Sequence, residues 1–231
     1  MTEPSQPNGR RKVLSRLGLG AAFGAGLAAS LSAAQPAFAQ TSGFKPRRHP
    51  EDAWMDTPKS AHRSVIDSAS PSGGGAALLY ANNIFNANKS GYGLQTADIS
   101  IIVVLRHLST PFGYTDAIWA KYGSALSEII DFKDPKTKAP PVANPYNVPG
   151  GGVSNMGITI PSLIEKNVQF AVCGSASRAM ANAVAQKTKG EANAIYNEFV
   201  GNLIPNSHLV PAGVVAVNRA QEFGYTLLTA I

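Results

Sequence analysis

The run Ile99-Ser100-Ile101-Ile102-Val103-Val104-Leu105 constrains this chain more than any other segment. It is almost unbroken in β-branched and apolar residues, where a strand with one wet face would alternate with polar ones. Such a strand must be covered on both sides, which calls for a parallel sheet with helices above and below it. The flanking sequence supplies those helices. Residues 62–67 read as a short first strand, 70–75 as a turn, and 76–87 as a helix offering Leu78, Leu79, Ile84 and Phe85 for burial. Residues 114–122 predict a further helix, and Pro161 opens a short one over 162–167. A third strand over 168–172 precedes helices at 175–187 and 191–203, separated by Gly190. A fourth strand (207–210), a last helix (213–223) and a final strand (225–228) complete the pattern. This alternation predicts an α/β fold: a doubly wound, mainly parallel sheet of about five strands flanked by helices.

The pattern spans 62–231, and roughly 190 residues beyond position 39 suit one domain with a full core. Residues 40–61, rich in proline and charge, read as an extended leader ahead of the fold. Residues 131–156 read as an irregular insertion, with Pro135, Pro140, Pro141, Pro145, Pro149 and Gly150-Gly151-Gly152. A structureless loop beyond about 15 residues is uncommon in a compact domain and is usually a lid, an assembly arm or disordered.

Residues 1–39 read as an export signal. Arg10-Arg11-Lys12 precede a weakly hydrophobic Gly/Ala/Leu stretch from Leu17 to Leu31, and Ala37-Phe38-Ala39 is a small-x-small cleavage site that leaves Gln40 first. An apolar stretch of about 15 residues falls short of the roughly 20 that span a bilayer. The Arg10-Arg11 pair resembles the twin-arginine translocation signal, with Gly9, Val13 and Ser15 at positions where other residues are usual. That resemblance implies the twin-arginine translocation machinery as a partner, a periplasmic address and a mature form without a membrane span. The alternative is an ordinary secretory signal with an incidental arginine pair. The whole-chain charge of +6 owes half to this segment, where four cations stand against Glu3. The remainder is scattered, and Lys45-Pro46-Arg47-Arg48-His49 is answered by Glu51, Asp52 and Asp56, so nucleic acid and membrane surfaces are not expected partners.

Cys173, the only cysteine, ends the third strand. It cannot close an internal disulfide, so it is a reactive thiol, an intermolecular partner or a small buried filler. Ligands in doubly wound sheets sit at the carboxyl ends of strands, where Cys173 falls. With Ser175 capping the next helix, the thiol lies beside a helix N-terminus that favours the thiolate, and Arg178 on the first turn adds positive charge. His107 follows the long strand and reaches the same edge, either to hold a thiolate or anion or simply as the polar exit of a buried strand. His62 and His208 precede their strands and belong to the opposite edge. Neither His-x-x-His nor Cys-x-x-Cys occurs, so no metal site is expected. Ser72-Gly73-Gly74-Gly75 lacks both dinucleotide and P-loop spacing and reads as a flexible turn rather than an anion cradle. Trp119 with Tyr122, and Ile195 with Tyr196, Phe199 and Val200, are spaced as helix faces for packing.

Three stretches taken in order carry a family resemblance: Leu163-Ile164-x-x-Asn167-Val168-x-Phe170-x-Val172-Cys173-Gly174, Val210-Pro211-x-Gly213-Val214, and Gln221-x-x-Gly224-Tyr225. Together they resemble the C-terminal half of the DsrE/DsrF-like family. The resemblance implies a flavodoxin-like three-layer sheet, a homo-oligomer, frequently trimeric or hexameric, and a role in sulfur trafficking. Carried over, Cys173 is the persulfide-bearing residue that exchanges sulfane sulfur with a donor or acceptor protein; His107, Gly174, Ser175 and Arg178 are candidate binding residues beside it on the reading of the residues themselves, not from the resemblance. No cofactor is implied beyond that cysteine-bound sulfur. Without the resemblance, the same residues suit a non-catalytic ligand-binding or assembly module with Cys173 buried.

Overall fold

The computed structural model describes residues 45–57, 60–149 and 154–231. Five strands, β1 (His62–Ser68), β2 (Ile99–Leu105), β3 (Gln169–Cys173), β4 (Ser207–Val210) and β5 (Thr226–Ala230), form one all-parallel sheet in the order β4-β3-β2-β1-β5. Parallel neighbours need crossovers. These are α1 (Pro71–Tyr92) from β1 to β2, α2 (Asp116–Ile130) and α3 (Ile160–Ile164) from β2 to β3, α4 (Gly174–Thr188) and α5 (Ala192–Gly201) from β3 to β4, and α6 (Gly213–Glu222) from β4 to β5. The chain winds outward from β1 to β4, then returns to the far side of β1. Right-handed crossovers that travel in opposite directions must lie on opposite faces. Accordingly α1 to α5 cover one face and α6 the other. The expected three-layer α/β architecture is present. Its winding reverses between β1 and β5, whereas the flavodoxin order reverses between the first and third strands.

Strand alternation divides the core. Ile99, Ile101, Val103 and Leu105 of β2 join Ile66, Phe170 and Val172 beneath α1 to α5. Ile102 and Val104 join Val65, Ala171 and Val210 beneath α6. The run therefore needs no polar alternation, because both its faces are dry. Each fully buried aliphatic side chain contributes about 1.5–3 kcal/mol.

Several expectations need correction. The glycine turn is the first turn of α1: Ser70 caps it by accepting the Gly73 N–H at 2.9 Å, and Pro71 occupies its first position. Each glycine costs about 1 kcal/mol of helix propensity, and close packing explains their presence. A Cβ at Gly73 would stand 2.6 Å from the Ala230 carbonyl oxygen, and one at Gly75 2.7 Å from the Tyr146 hydroxyl. Hence 72–75 is neither a flexible turn nor an anion cradle. The leader is not wholly extended ahead of the fold, since Pro50–Met55 forms a 3-10 helix with Met55 fully buried against the α6 face. Within 131–156 no strand or α-helix occurs among the described residues, yet Asn144 and Tyr146 are buried. The Asn144 amide donates to the carbonyls of Phe112 and Tyr114, at 2.8 Å each, and the Tyr146 hydroxyl donates to that of Pro71 at 2.7 Å. The middle of this segment is therefore part of the core rather than a lid. The export-signal residues Arg10, Arg11, Ala37 and Ala39, and the triplet 150–152, lie outside the described residues. Among those described, no helix is long and apolar enough to cross a membrane.

Candidate functional site

Strand parity brings three chemistries to one edge. Val65, Val104 and Ala171 face α6. Two residues further along stand Asp67 in β1, Arg106 in extended backbone just past β2, and Cys173 in β3, so alternation directs these three side chains to the same face. The first residue of α6 lies over Arg106 and Val104: a Cβ on Gly213 would stand 3.2 Å from Val104 Cγ1 and closer still to Arg106 Cβ.

Arg106 is held by a bidentate pair. Its Nε donates to Asp67 Oδ1 at 2.7 Å and its terminal nitrogen to Oδ2 at 2.9 Å, with Asp67 itself buried. The Asp67 hydrogen bond raises the guanidinium's pKa above its ordinary value; desolvation opposes this, and the charge of Asp67 and, least, the Cys173 thiol add upward pushes.

Cys173 is 6% exposed and is itself the N-cap of α4: its Sγ accepts the Ala176 N–H at 3.3 Å. β3 thus runs into α4 without a loop, which places the sulfur on a helix N-terminus. Beneath it, Ser177 Oγ donates to the Cys173 carbonyl at 2.9 Å, and the Tyr114 hydroxyl donates to Ser177 Oγ at 2.8 Å. Burial pushes the Tyr114 phenol well above its usual range, with the Ser177 hydrogen bond opposing, so it stays protonated as a fixed donor.

The other candidates fall as follows. Ser175 is not the cap; its N–H and hydroxyl both donate to the Pro211 carbonyl, at 3.1 and 2.9 Å, and lock α4 to the loop after β4. Arg178 turns toward α5, with its guanidinium 3.6 Å above the Tyr196 ring and a 3.2 Å hydrogen bond to Asn193. The cation at the end of the neighbouring strand β2 is Arg106. His107 is exposed at the expected edge, one strand from Cys173, with φ at +52°, and the sulfur's hydrogen bond comes from Ala176 instead. His62 and His208 lie toward the opposite edge, as expected. Glu51, Gly174, Ser175, Arg178, Tyr196, Leu209, Val210 and Pro211 line a cleft of about 640 Å³, which reaches the residue after Cys173 but is not lined by Cys173 itself. A second hollow of about 550 Å³, at the amino edge near Thr57, Ser100 and Glu165, is remote from this chemistry.

Asp67, Arg106, Tyr114 and Ser177 did not emerge from the sequence. The usable signal for the first two was a carboxylate and a cation at the ends of adjacent strands. Among the described residues, no group of three or more His, Cys, Asp and Glu side chains is placed to hold a metal. In comparison with known proteins, no family model matches the chain and no curated protein matches it.

Proposed function

We propose that this is an exported sulfur-handling protein that carries sulfane sulfur on Cys173. The observation that supports it is the sulfur's place as cap of α4, at the carboxyl edge, with Arg106 just past the end of the neighbouring strand β2. In the transfer step the Cys173 thiolate bonds to the outer sulfur of a donor persulfide. The donor's S–S bond breaks, and the donor leaves as a thiolate, so neither oxidant nor reductant is consumed. The cleft beside Gly174 and Ser175 is the approach for a donor or acceptor protein, and His107 borders the same edge. Export follows the Arg10-Arg11 signal to the periplasm.

Native mass spectrometry should find an adduct of about 32 Da, one sulfur atom, lost in Cys173→Ala while the fold persists. A Cys173 that stays unlabelled by thiol reagents until the protein unfolds would sink this reading. Mass analysis of the exported form should place its first residue at Gln40, and Arg10-Arg11→Lys-Lys should block export.

The low exposure of Cys173 favours a second reading, a ligand-binding or assembly module in which the thiol is a packed filler. On that reading Cys173→Ser lowers stability by about 1 kcal/mol or more and changes no sulfur chemistry.

A further inference from the structure

Ser100 is the only residue of β2 that is not buried, and the only polar interruption of its run. It stands two residues before Ile102 and so faces the α6 layer. The same step on the neighbouring strands gives Arg63, Gln169 and His208, which precede Val65, Ala171 and Val210 of that core. The dry face under α6 therefore ends, toward the amino edge, in a polar row. Valine would suit a strand packed there, so the serine marks a place that core packing does not explain.

Hollows of about 550 and 200 Å³ open on this row and share Thr57, Ser100 and Asn167. Trp54 and Tyr225 wall the smaller one. The hydroxyls between them are short of protons. Thr57 Oγ1 lies 3.1 Å from Ser60 Oγ and 3.2 Å from the Tyr225 hydroxyl, while Ser60 Oγ donates to the Thr57 carbonyl at 3.0 Å and the Tyr225 hydroxyl to the Met55 carbonyl at 3.1 Å. Three hydroxyl protons serve four contacts, so one pair of oxygens meets lone pair to lone pair and calls for a donor from outside. Asn167 has the opposite need. Its Oδ1 accepts from Gln169 Nε2 at 3.1 Å, which leaves the hydrogens of its own Nδ2 to donate.

Charge excludes two ligand classes. Glu165 and Lys166 are the only charged residues among the described ones that line the hollows. Lys166 Nζ already donates to Asn82 Oδ1 at 2.7 Å, and nearby Arg63 donates to the Phe223 and Thr57 carbonyls at 2.7 Å each, so no cation is left over for an anion. Glu165 is exposed, where a single carboxylate holds a cation weakly. We infer that the amino-edge hollow binds a neutral polyhydroxylated ligand, a mono- or disaccharide. Its hydroxyls supply the donor missing at Thr57 and accept from Asn167, Ser100 lies on the floor, and Trp54 gives an apolar wall. The volume is in the range of small-molecule sites. The site stands at the edge opposite Cys173, and the inference is independent of sulfur chemistry.

Trp119 is fully buried, so of the two tryptophans Trp54 reports on the hollow. Titration of the full chain with D-glucose, D-ribose and maltose at millimolar concentrations should give a saturable change in tryptophan emission with at least one of them. Ser100→Val removes the hydroxyl from an otherwise apolar strand, and Asn167→Gly removes the amide while keeping the left-handed backbone at φ +60°. Each should weaken binding about tenfold, and Ser100→Val should melt no lower than the parent. Should either variant lose its native near-ultraviolet circular dichroism, the other decides. Cys173→Ala should bind as the parent does. No saturation by any of these sugars, or saturation that a correctly folded variant leaves untouched, overturns the inference. Saturation by putrescine or sulfate with the sugars silent overturns it too and assigns the hollow a charged ligand.

Discussion

At the residue scale, the carboxyl edge couples a structural ion pair to a candidate thiolate. Asp67 and Arg106 satisfy one another, and Arg106 follows β2, the strand that pairs with the Cys173 strand. Asp67→Asn removes one partner of a largely buried pair and should cost about 1–3 kcal/mol, measured by chemical denaturation. It also frees the guanidinium's charge, so alkylation of native Cys173 near neutral pH should quicken, whereas Arg106→Met should slow it, each by roughly several-fold. Equal rates in both variants would mean that Arg106 does not act on the sulfur. Cys173 was legible from its strand-end position and its solitude. Its role as cap was not, because that depends on β3 entering α4 without the intervening residue that a cap at Ser175 requires.

At the element scale, the 3-10 helix Pro50–Met55 acts as a strap over the face that α6 covers alone. Trp54 stacks on His208 with ring centroids 4.0 Å apart and planes within 6°, and His208 Nε2 pairs with Gln169 Oε1 at 2.9 Å. Desolvation lowers the His208 pKa. A histidine whose folded pKa is depressed favours the native state while neutral, so its contribution is present above the unfolded value of about 6.5 and is lost as pH falls from there through the folded pKa. Melting temperature should decline on acidification through that window, and His208→Phe, which keeps the stack without a proton site, should flatten this part of the profile. An unchanged slope in the variant would assign the decline to other groups. Sequence reading placed His208 at the right edge but took its partner segment for an extended leader, since a short 3-10 turn has no periodicity to detect. The glycines of α1 misled for the opposite reason: their local propensity argues for a turn, and the contacts that require them come from Ala230 and Tyr146, far along the chain.

At the scale of the whole molecule, residues 46–231 form one compact unit built on the all-parallel sheet. A chain beginning at Pro46 should keep the melting temperature of the longer protein within a few degrees, as about 1 kcal/mol corresponds to 2–4 °C at this size; a drop of more than about 10 °C would show that earlier residues are needed. The layered α/β class was readable because a β-branched run on this scale has one stable environment, between two sheets of helices. Strand order was not, because it depends on which side of β1 the chain returns to, and only the placement of α6 decides that. The order β4-β3-β2-β1-β5 also has a consequence for biosynthesis. Within this sheet β1 is made first and its neighbour β5 last, so one side of a strand carrying Val65 and Ile66 stays unsatisfied while more than 150 residues are added. Completion of the sheet therefore waits for the synthesis of β5, and in the interval the nascent chain holds open an apolar edge for which a chaperone is the natural temporary partner.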